Sequence, residues 1–370
     1  MDKIKRFLIP VVQFLVGGLF IFSGLVKMND PVGFSFKLEE YFSEGVLNLP
    51  FLEPLALPLA ILLVITEVWL GADLLMGITR RWTMVLLTGM IVFFTFLTFW
   101  SAYFNQVTDC GCFGDAIPLT PWQSFYKDVI LCVLIGILWW GKSRQIDVLP
   151  KKLLWYVAPS ILIACIGFTY YVVNHLPVKD FRPYAVGESI IEGMKSAEEL
   201  GLEPPQFEVI YTMEQEDGTH REITSKQYID EKWWEKTEWS IDTSRTIKVS
   251  DGYEPPIHDF SLVSNYGDIT DSILSLDEVW LLVAYNAKKT HNEGWGLALP
   301  KLIQLSRSNT PHFVLSASVP EEFQTYSECL APFVFTDETQ LKTMVRSNPG
   351  WVVLKNGVVS AKYHYNDTPN

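Results

Sequence analysis

Histidine is missing from the first 174 residues of this 370-residue chain, and charge is scarce throughout, with Asp, Glu, Lys and Arg making up only 19%. Soluble domains carry about 25%, which argues against an ordinary all-soluble enzyme. Neither half of the chain carries an overall excess of basic residues. Residues 1–174 hold twelve basic and twelve acidic groups, so the whole net charge of −13 lies in residues 175–370. Nucleic-acid binding needs a basic footprint, and this tail is the opposite. What is present in quantity is apolar: 49% of the chain, with a mean hydropathy of +0.17. The first half and the second read as regions made for different solvents.

Five runs reach the roughly 20 mostly apolar residues that a membrane-spanning helix requires: 7–26, 55–78, 82–104, 122–141 and 153–173. The third and fifth contain no charged residue. Lys3, Lys5 and Arg6 precede the first run in the manner of a signal peptide. That run is too long for a signal h-region and no small-residue cleavage site follows, so it reads as a retained helix. Lys3, Lys5 and Arg6, then Arg80 and Arg81, then Lys142, Arg144, Lys151 and Lys152 fall on one face if the runs alternate. The excess of cations marks that face as cytoplasmic. The connections 28–54 and 105–121 and the whole tail then face outward. Residues 34–42 mix Phe34, Phe36, Leu38, Tyr41 and Phe42 with Lys37, Glu39 and Glu40, the pattern of an amphipathic helix in the membrane interface.

Two carboxylates interrupt the second run. Glu67 lies about mid-span, where an unpaired charge costs roughly 2.5 kcal/mol or more. It should face the bundle interior, with Lys27 or Lys127 (beside Asp128) as its partner, or serve simply as a polar lock between helices. Asp73 is expected to reach toward Arg80 or Arg81.

The stretch Asp109-Cys110-Gly111-Cys112-Phe113-Gly114-Asp115 lies in the second outward connection. Two thiols flanking a glycine can close a small disulfide ring whose backbone glycine tolerates. A strained, accessible disulfide suits exchange chemistry, and disulfides persist outside the cytoplasm. An inert staple is a second reading. A metal site is disfavoured because the membrane half has no histidine and no third cysteine lies near. The nearby acids oppose a thiolate while Lys127 favours it. Cys132 and Cys165, inside spans, read as small core hydrophobes.

Beyond residue 174 the text becomes polar. Residues 177–255 read as a small β-rich element with a strand at 207–213 and a helix at 223–235. From 256 onward strands at 279–285, 312–316, 332–335, 351–354 and 358–363 alternate with helices at 294–307, 321–327 and 337–346. Asn356-Gly357 marks a closing hairpin. This is the plan of an α/β domain.

The segments Pro256-Ile257-His258-Asp259-Phe260-Ser261-Leu262 and Asn348-Pro349-Gly350-Trp351 resemble the thioredoxin-like fold in its thiol-peroxidase and reductase branch. The resemblance implies a cis peptide before Pro349 and a Cys-x-x-Cys after the first core strand. That position here reads Asn286-Ala287-Lys288-Lys289-Thr290-His291-Asn292 and has no cysteine. Cys329 is the tail's only thiol, so the tail reads as a binding module. Ser23-Gly24-Leu25-Val26-Lys27-Met28-Asn29-Asp30-Pro31, Glu67 followed by Gly71, Cys110-Gly111-Cys112-Phe113-Gly114 and the stretch from Trp122 to Asp128 resemble the DoxX/MauE family of membrane proteins across about residues 5–145, in the long form found in Bacteroidota. The resemblance implies a four-helix transmembrane domain (1–145), to which this chain adds a fifth helix and linker (146–176), the β-rich element and the thioredoxin-like domain (256–370).

Two functional expectations follow. One is a membrane thiol–disulfide oxidoreductase of the inner membrane, in which Cys110 and Cys112 exchange electrons with a quinone between the helices. Lys27, Glu67, Lys127 and Asp128 would tune thiolate and proton transfer. The outward tail would hold a client. The other is a non-enzymatic scaffold of an envelope complex, docking membrane subunits and a secreted partner. Neither reading involves a metal or nucleic acid.

Overall fold

The computed structural model describes residues 2–104, 111–215, 217–250, 252–323 and 331–369. They form two compact units, one made of residues 1–187 together with 261–370 and the other of residues 188–260. The first unit opens with six long helices: α1 (Asp2–Asn29), α2 (Pro31–Phe42), α3 (Ala56–Met76), α4 (Arg80–Phe104), α5 (Pro121–Trp140) and α6 (Lys151–Asn174). Five segments are long and apolar enough to cross a membrane, at Arg6–Asn29, Pro50–Met76, Arg80–Phe104, Pro121–Trp140 and Lys152–Asn174. These are the five runs read from hydropathy. Much of their outer surface stays exposed and apolar, including Phe14, Leu62, Phe96, Val133 and Ile163, as lipid contact demands.

Helices α1 and α3 approach closely because small residues line their contact. A Cβ at Gly71 would come within 2.8 Å of the Gly17 carbonyl oxygen and 2.9 Å of the Ile21 amide nitrogen. Those atoms are backbone and cannot swing aside, so Gly71→Val is expected to lower stability by about 1–3 kcal/mol or more. Thermal unfolding of the detergent-solubilised protein reads this directly. Around that contact Val16, Phe20, Leu74, Leu87 and Ile135 build the bundle core.

Helix α2 forms where the amphipathic pattern placed one. Asp30 caps it, accepting from the Gly33 amide at 2.8 Å, and Pro31 occupies its first turn. Its apolar face is buried against protein: Phe34, Leu38 and Phe42 pack with Ala60 and Val64 of α3 and Cys165 of α6. Tyr41 shares a 2.8 Å hydrogen bond with Ser101 of α4.

At the opposite end of the bundle, buried polar groups are satisfied locally. Gln13 donates to the carbonyls of Leu74 (2.8 Å) and Ile146 (2.7 Å) and accepts from the Ile146 amide (3.0 Å). Asp73 does not pair with Arg80 or Arg81, as the sequence had led us to expect. It accepts from the Ile78 and Thr79 amides at 2.8 and 3.2 Å and from the hydroxyls of Thr79 and Thr83, while Arg80 pairs with Asp147. Short-range donors next to a helix C-terminus satisfied the carboxylate before a distant cation was needed.

The rest of the first unit is a seven-stranded sheet in the order β10-β9-β6-β7-β8-β4-β5, with β4 Val263–Ser264, β5 Gly267–Asp268, β6 Val279–Val283, β7 His312–Ser316, β8 Phe333–Phe335, β9 Gly350–Lys355 and β10 Val358–His364. Parallel pairing of β6 with β7 and antiparallel pairing of β9 with both β6 and β10 give the expected thioredoxin-like core. Helices α7 (Asn292–Arg307) and α8 (Glu338–Met344) cover it. Asn356 and Gly357 turn the closing hairpin with φ of 49° and 74°, the left-handed values that Asn-Gly accommodates. The Asn348–Pro349 peptide is cis. Of the helix expected at 321–327, the described part is a single 3-10 turn, Pro320–Glu322.

His364 is buried at the end of β10, and its Nδ1 accepts from the Asn366 amide at 3.2 Å. Burial, against the pull of Asp367 and with the push of His175 and His291, lowers its pKa to about 4. The folded state therefore holds fewer protons than the unfolded chain between pH 6.5 and 4. Stability contributed by neutral His364 is full above pH 6.5 and declines as pH falls toward 4, by about 3 kcal/mol in all. His364→Phe is expected to flatten that part of the stability–pH curve.

The second unit carries a three-stranded antiparallel sheet, β2-β1-β3, from β1 Gln206–Gln215, β2 His220–Thr224 and β3 Trp239–Ser250. Met213, Ile223 and Trp233 form its small core. The helix expected over 223–235 is corrected: Ile223 pairs with Tyr211 in β2, and helix is confined to Ser225–Asp230 and a 3-10 turn at Trp233–Glu235.

Candidate functional site

Five of the six residues singled out from the sequence gather around one small cavity. It is lined by Lys27, Glu67, Cys112, Lys127 and Asp128 together with apolar residues such as Phe20, Phe34 and Leu131, and its volume is about 30 Å³. The sixth, Cys110, lies outside the described residues, as does Cys329.

Each side chain arrives by a separate route. Lys27, in the last turn of α1, pairs with Glu67 of α3, and both are almost wholly buried, at 4% and 6% exposure. Its ammonium also lies 5.3 Å from the Phe34 ring centre and 5.0 Å from that of Phe94, a cation–π cradle. Of the two cations proposed for Glu67, Lys27 is the partner. Lys127 instead donates to Asp128 at 2.7 Å and hydrogen-bonds Cys112. Asp128, 1% exposed, also accepts from Thr98 of α4 at 3.1 Å. A hydrogen-bonded line thus runs from Cys112 through Lys127 and Asp128 to Thr98.

The loop bearing Cys112 is fixed on several sides. Ser23 donates to the Cys112 carbonyl at 2.9 Å. Gly111 has φ +63° and lies against Lys37 and Phe34 of α2, a place where a side chain would be strained. Phe113 packs 5.8 Å from Phe22 and under the Lys127 ammonium at 5.2 Å. Cys112 itself is only half-buried.

Sequence reasoning did not find Arg346. This arginine, two residues before the Asn348–Pro349 peptide, is buried and forks between two acids of the membrane half: Nε donates to Asp30 at 2.8 Å and a terminal nitrogen to Asp115 at 2.9 Å. Burial alone would raise the Asp30 carboxyl, but the charges of Arg346 and Arg182 and the hydrogen bonds from Arg346 and Gly33 hold it below the usual carboxylate range. Lys289 adds a 2.9 Å pair to Glu39 of α2. Next to the fork, Asp180 accepts from Arg182 at 2.7 Å and from Lys362 at 2.6 Å, and these two cations overcome burial to bring it down to about 2. The tail is therefore fastened to the end of the bundle that carries Cys112. No local pattern in the sequence marks such a pairing, because its partners are separated by hundreds of residues.

Five apolar candidate spans followed by a sheet-bearing domain make this chain a membrane protein, with a first half similar to MauE/DoxX proteins and an additional C-terminal domain. Residues 5–141 match the family model described as methylamine utilisation protein MauE. Among curated proteins, the chain is 26% identical over 212 residues to Protein TlpB of Flavobacterium psychrophilum, an alignment covering 53% of each. The chain thus spans about half the length of the curated relative it matches. No solved structure matches it.

Proposed function

We propose that the protein is a membrane thiol–disulfide oxidoreductase of the bacterial inner membrane, working through Cys112 and Cys110 on the outward side. The observation that carries this reading is the contact of Cys112 with Lys127, itself buttressed by buried Asp128. A cation touching a thiol favours the nucleophilic thiolate, and the Lys127–Asp128–Thr98 line offers a route for the departing proton. Lys27 and Glu67 neutralise one another beneath the site and keep its floor rigid. Orientation rests on the cationic flanks: Arg80, Arg81 and Lys142 cluster at the end of the bundle away from Cys112, the end expected in the cytoplasm. The sheet domain then stands in the periplasm.

The test is alkylation trapping of Cys110 and Cys112 in intact cells, with and without quinone depletion, beside a Cys110→Ser/Cys112→Ser variant. The reading expects the pair to shift between dithiol and disulfide and the variant to lose its thiol-dependent function. A pair that never changes state, with a fully functional variant, leaves the scaffold reading. That alternative is favoured by the lack of any cysteine over 286–292, which gives the tail no dithiol of its own and leaves it the task of docking an envelope partner.

A further inference from the structure

A second, larger cavity of about 490 Å³ lies between the outer end of the bundle and the sheet domain. It shares Lys27, Phe34 and Gly111 with the small cavity that Cys112 lines, so the two cavities adjoin at Gly111, next to Cys112 in the chain. Its size falls within the about 300–1,000 Å³ typical of small-ligand sites. Its walls carry charge of both signs from different segments. Glu39 and Glu40 come from α2, Lys179 and Arg182 from the linker after α6, and Lys342 and Arg346 from the region of α8.

Some of these groups are already spent. Arg346 is saturated by Asp30 and Asp115, and Arg182 by Asp180. Others are loosely held. Among the described residues Glu40 pairs with Lys37 alone, at 3.5 Å and partly exposed, and no ion pair engages Lys179. A chamber offering a weakly engaged carboxylate and an unengaged ammonium suits a ligand that brings one of each. The sheet domain lines one side of the chamber, and the buried Arg346 fork fastens it to the bundle, an arrangement that favours a small disulfide over one embedded in a folded protein.

We propose that the 490 Å³ chamber is the vestibule for a small zwitterionic disulfide, of amino-acid to short-peptide size, which exchanges with the Cys112 thiol. This rests on the thiol chemistry proposed above and names its substrate class. With a disulfide RS–SR, the Cys112 sulfur attacks one sulfur, the S–S bond breaks, and a Cys112–S–S–R bond forms. The departing RS⁻ leaves with the electron pair of the broken bond and takes up the proton lost by Cys112, giving RSH. Electrons and protons balance without a further reagent.

The test uses the reduced full-length protein in lipid nanodiscs. Initial rates of mixed-disulfide formation at Cys112, located by peptide mass spectrometry, are measured with cystine and with uncharged 2-hydroxyethyl disulfide. Each is divided by the rate of the same disulfide with free N-acetylcysteine. The proposal expects a preference for cystine of about ten-fold, the factor that about 1.4 kcal/mol of added binding provides. Thr343→Phe, which fills part of the chamber, and Lys179→Gln, which removes an exposed cation from its wall, should each shrink that preference toward one. If Thr343→Phe fails to fold, Lys179→Gln decides the matter alone, because its side chain is exposed. No preference in the unaltered protein, or one that survives both substitutions, overturns the vestibule while leaving thiol chemistry at Cys112 standing. Absence of reaction with either disulfide overturns both.

Discussion

Replacing Lys27 with methionine should lower the stability of the bundle by about 3–5 kcal/mol, the range seen when one member of a buried ion pair is removed. The cause is the Glu67 carboxylate left behind. It is 6% exposed in the span from Pro50 to Met76, away from bulk solvent. Lys27→Met/Glu67→Leu should recover most of that loss, because two apolar residues of similar volume replace a pair whose desolvation cost offset much of its attraction. Chemical unfolding in mild detergent separates the two outcomes. Equal losses in the single and double variants would mean that packing, rather than the stranded carboxylate, dominates.

Arg346→Ala should be the most damaging single change in the sheet domain that leaves its core intact. Truncating one partner of a buried, hydrogen-bonded charge pair costs about 2–5 kcal/mol, and here two acids, Asp30 and Asp115, lose the same partner. Asp115 follows Cys112 by three residues, so the loss should appear as faster hydrogen exchange over residues 111–120. Arg346→Lys keeps the charge but loses the planar fork that reaches both acids, and should restore only part of the protection. Unchanged exchange in Arg346→Ala would show that Ser23 and Phe22 hold the loop without help. High salt should not mimic the substitution, since screening acts weakly on buried pairs.

These two residues mark the boundary of what the sequence discloses. Lys27 and Glu67 were legible because charge in a spanning run is costly and must be answered, and few answers were available. The spans were legible for the same reason: their apolar length has one common explanation. Arg346 was not, since an arginine in a soluble α/β domain is ordinary and nothing local names its partners. Strand β3 was missed for another reason. From Trp239 to Ser250 it is exposed along nearly its whole length, so no alternation between core and solvent marks its period, and its identity comes only from pairing with β1. Ile223 misled because a few apolar residues fit either a helical or a strand period until the turn before them is placed. Asp73 shows the limit of reasoning by charge alone, for two threonine hydroxyls and two amides outbid an arginine.

The sheet-domain edge that follows β6 has a consequence for how the molecule meets others. Tyr285 sets its ring edge-on to Phe36 at 6.1 Å, and Lys289 reaches Glu39, so the rim where a free-standing relative of this fold would greet visitors is pressed against its own membrane anchor. Any protein recruited from outside must therefore grip some other part of the tail, and a soluble fragment cut loose from the helices would present a sticky, unfamiliar face.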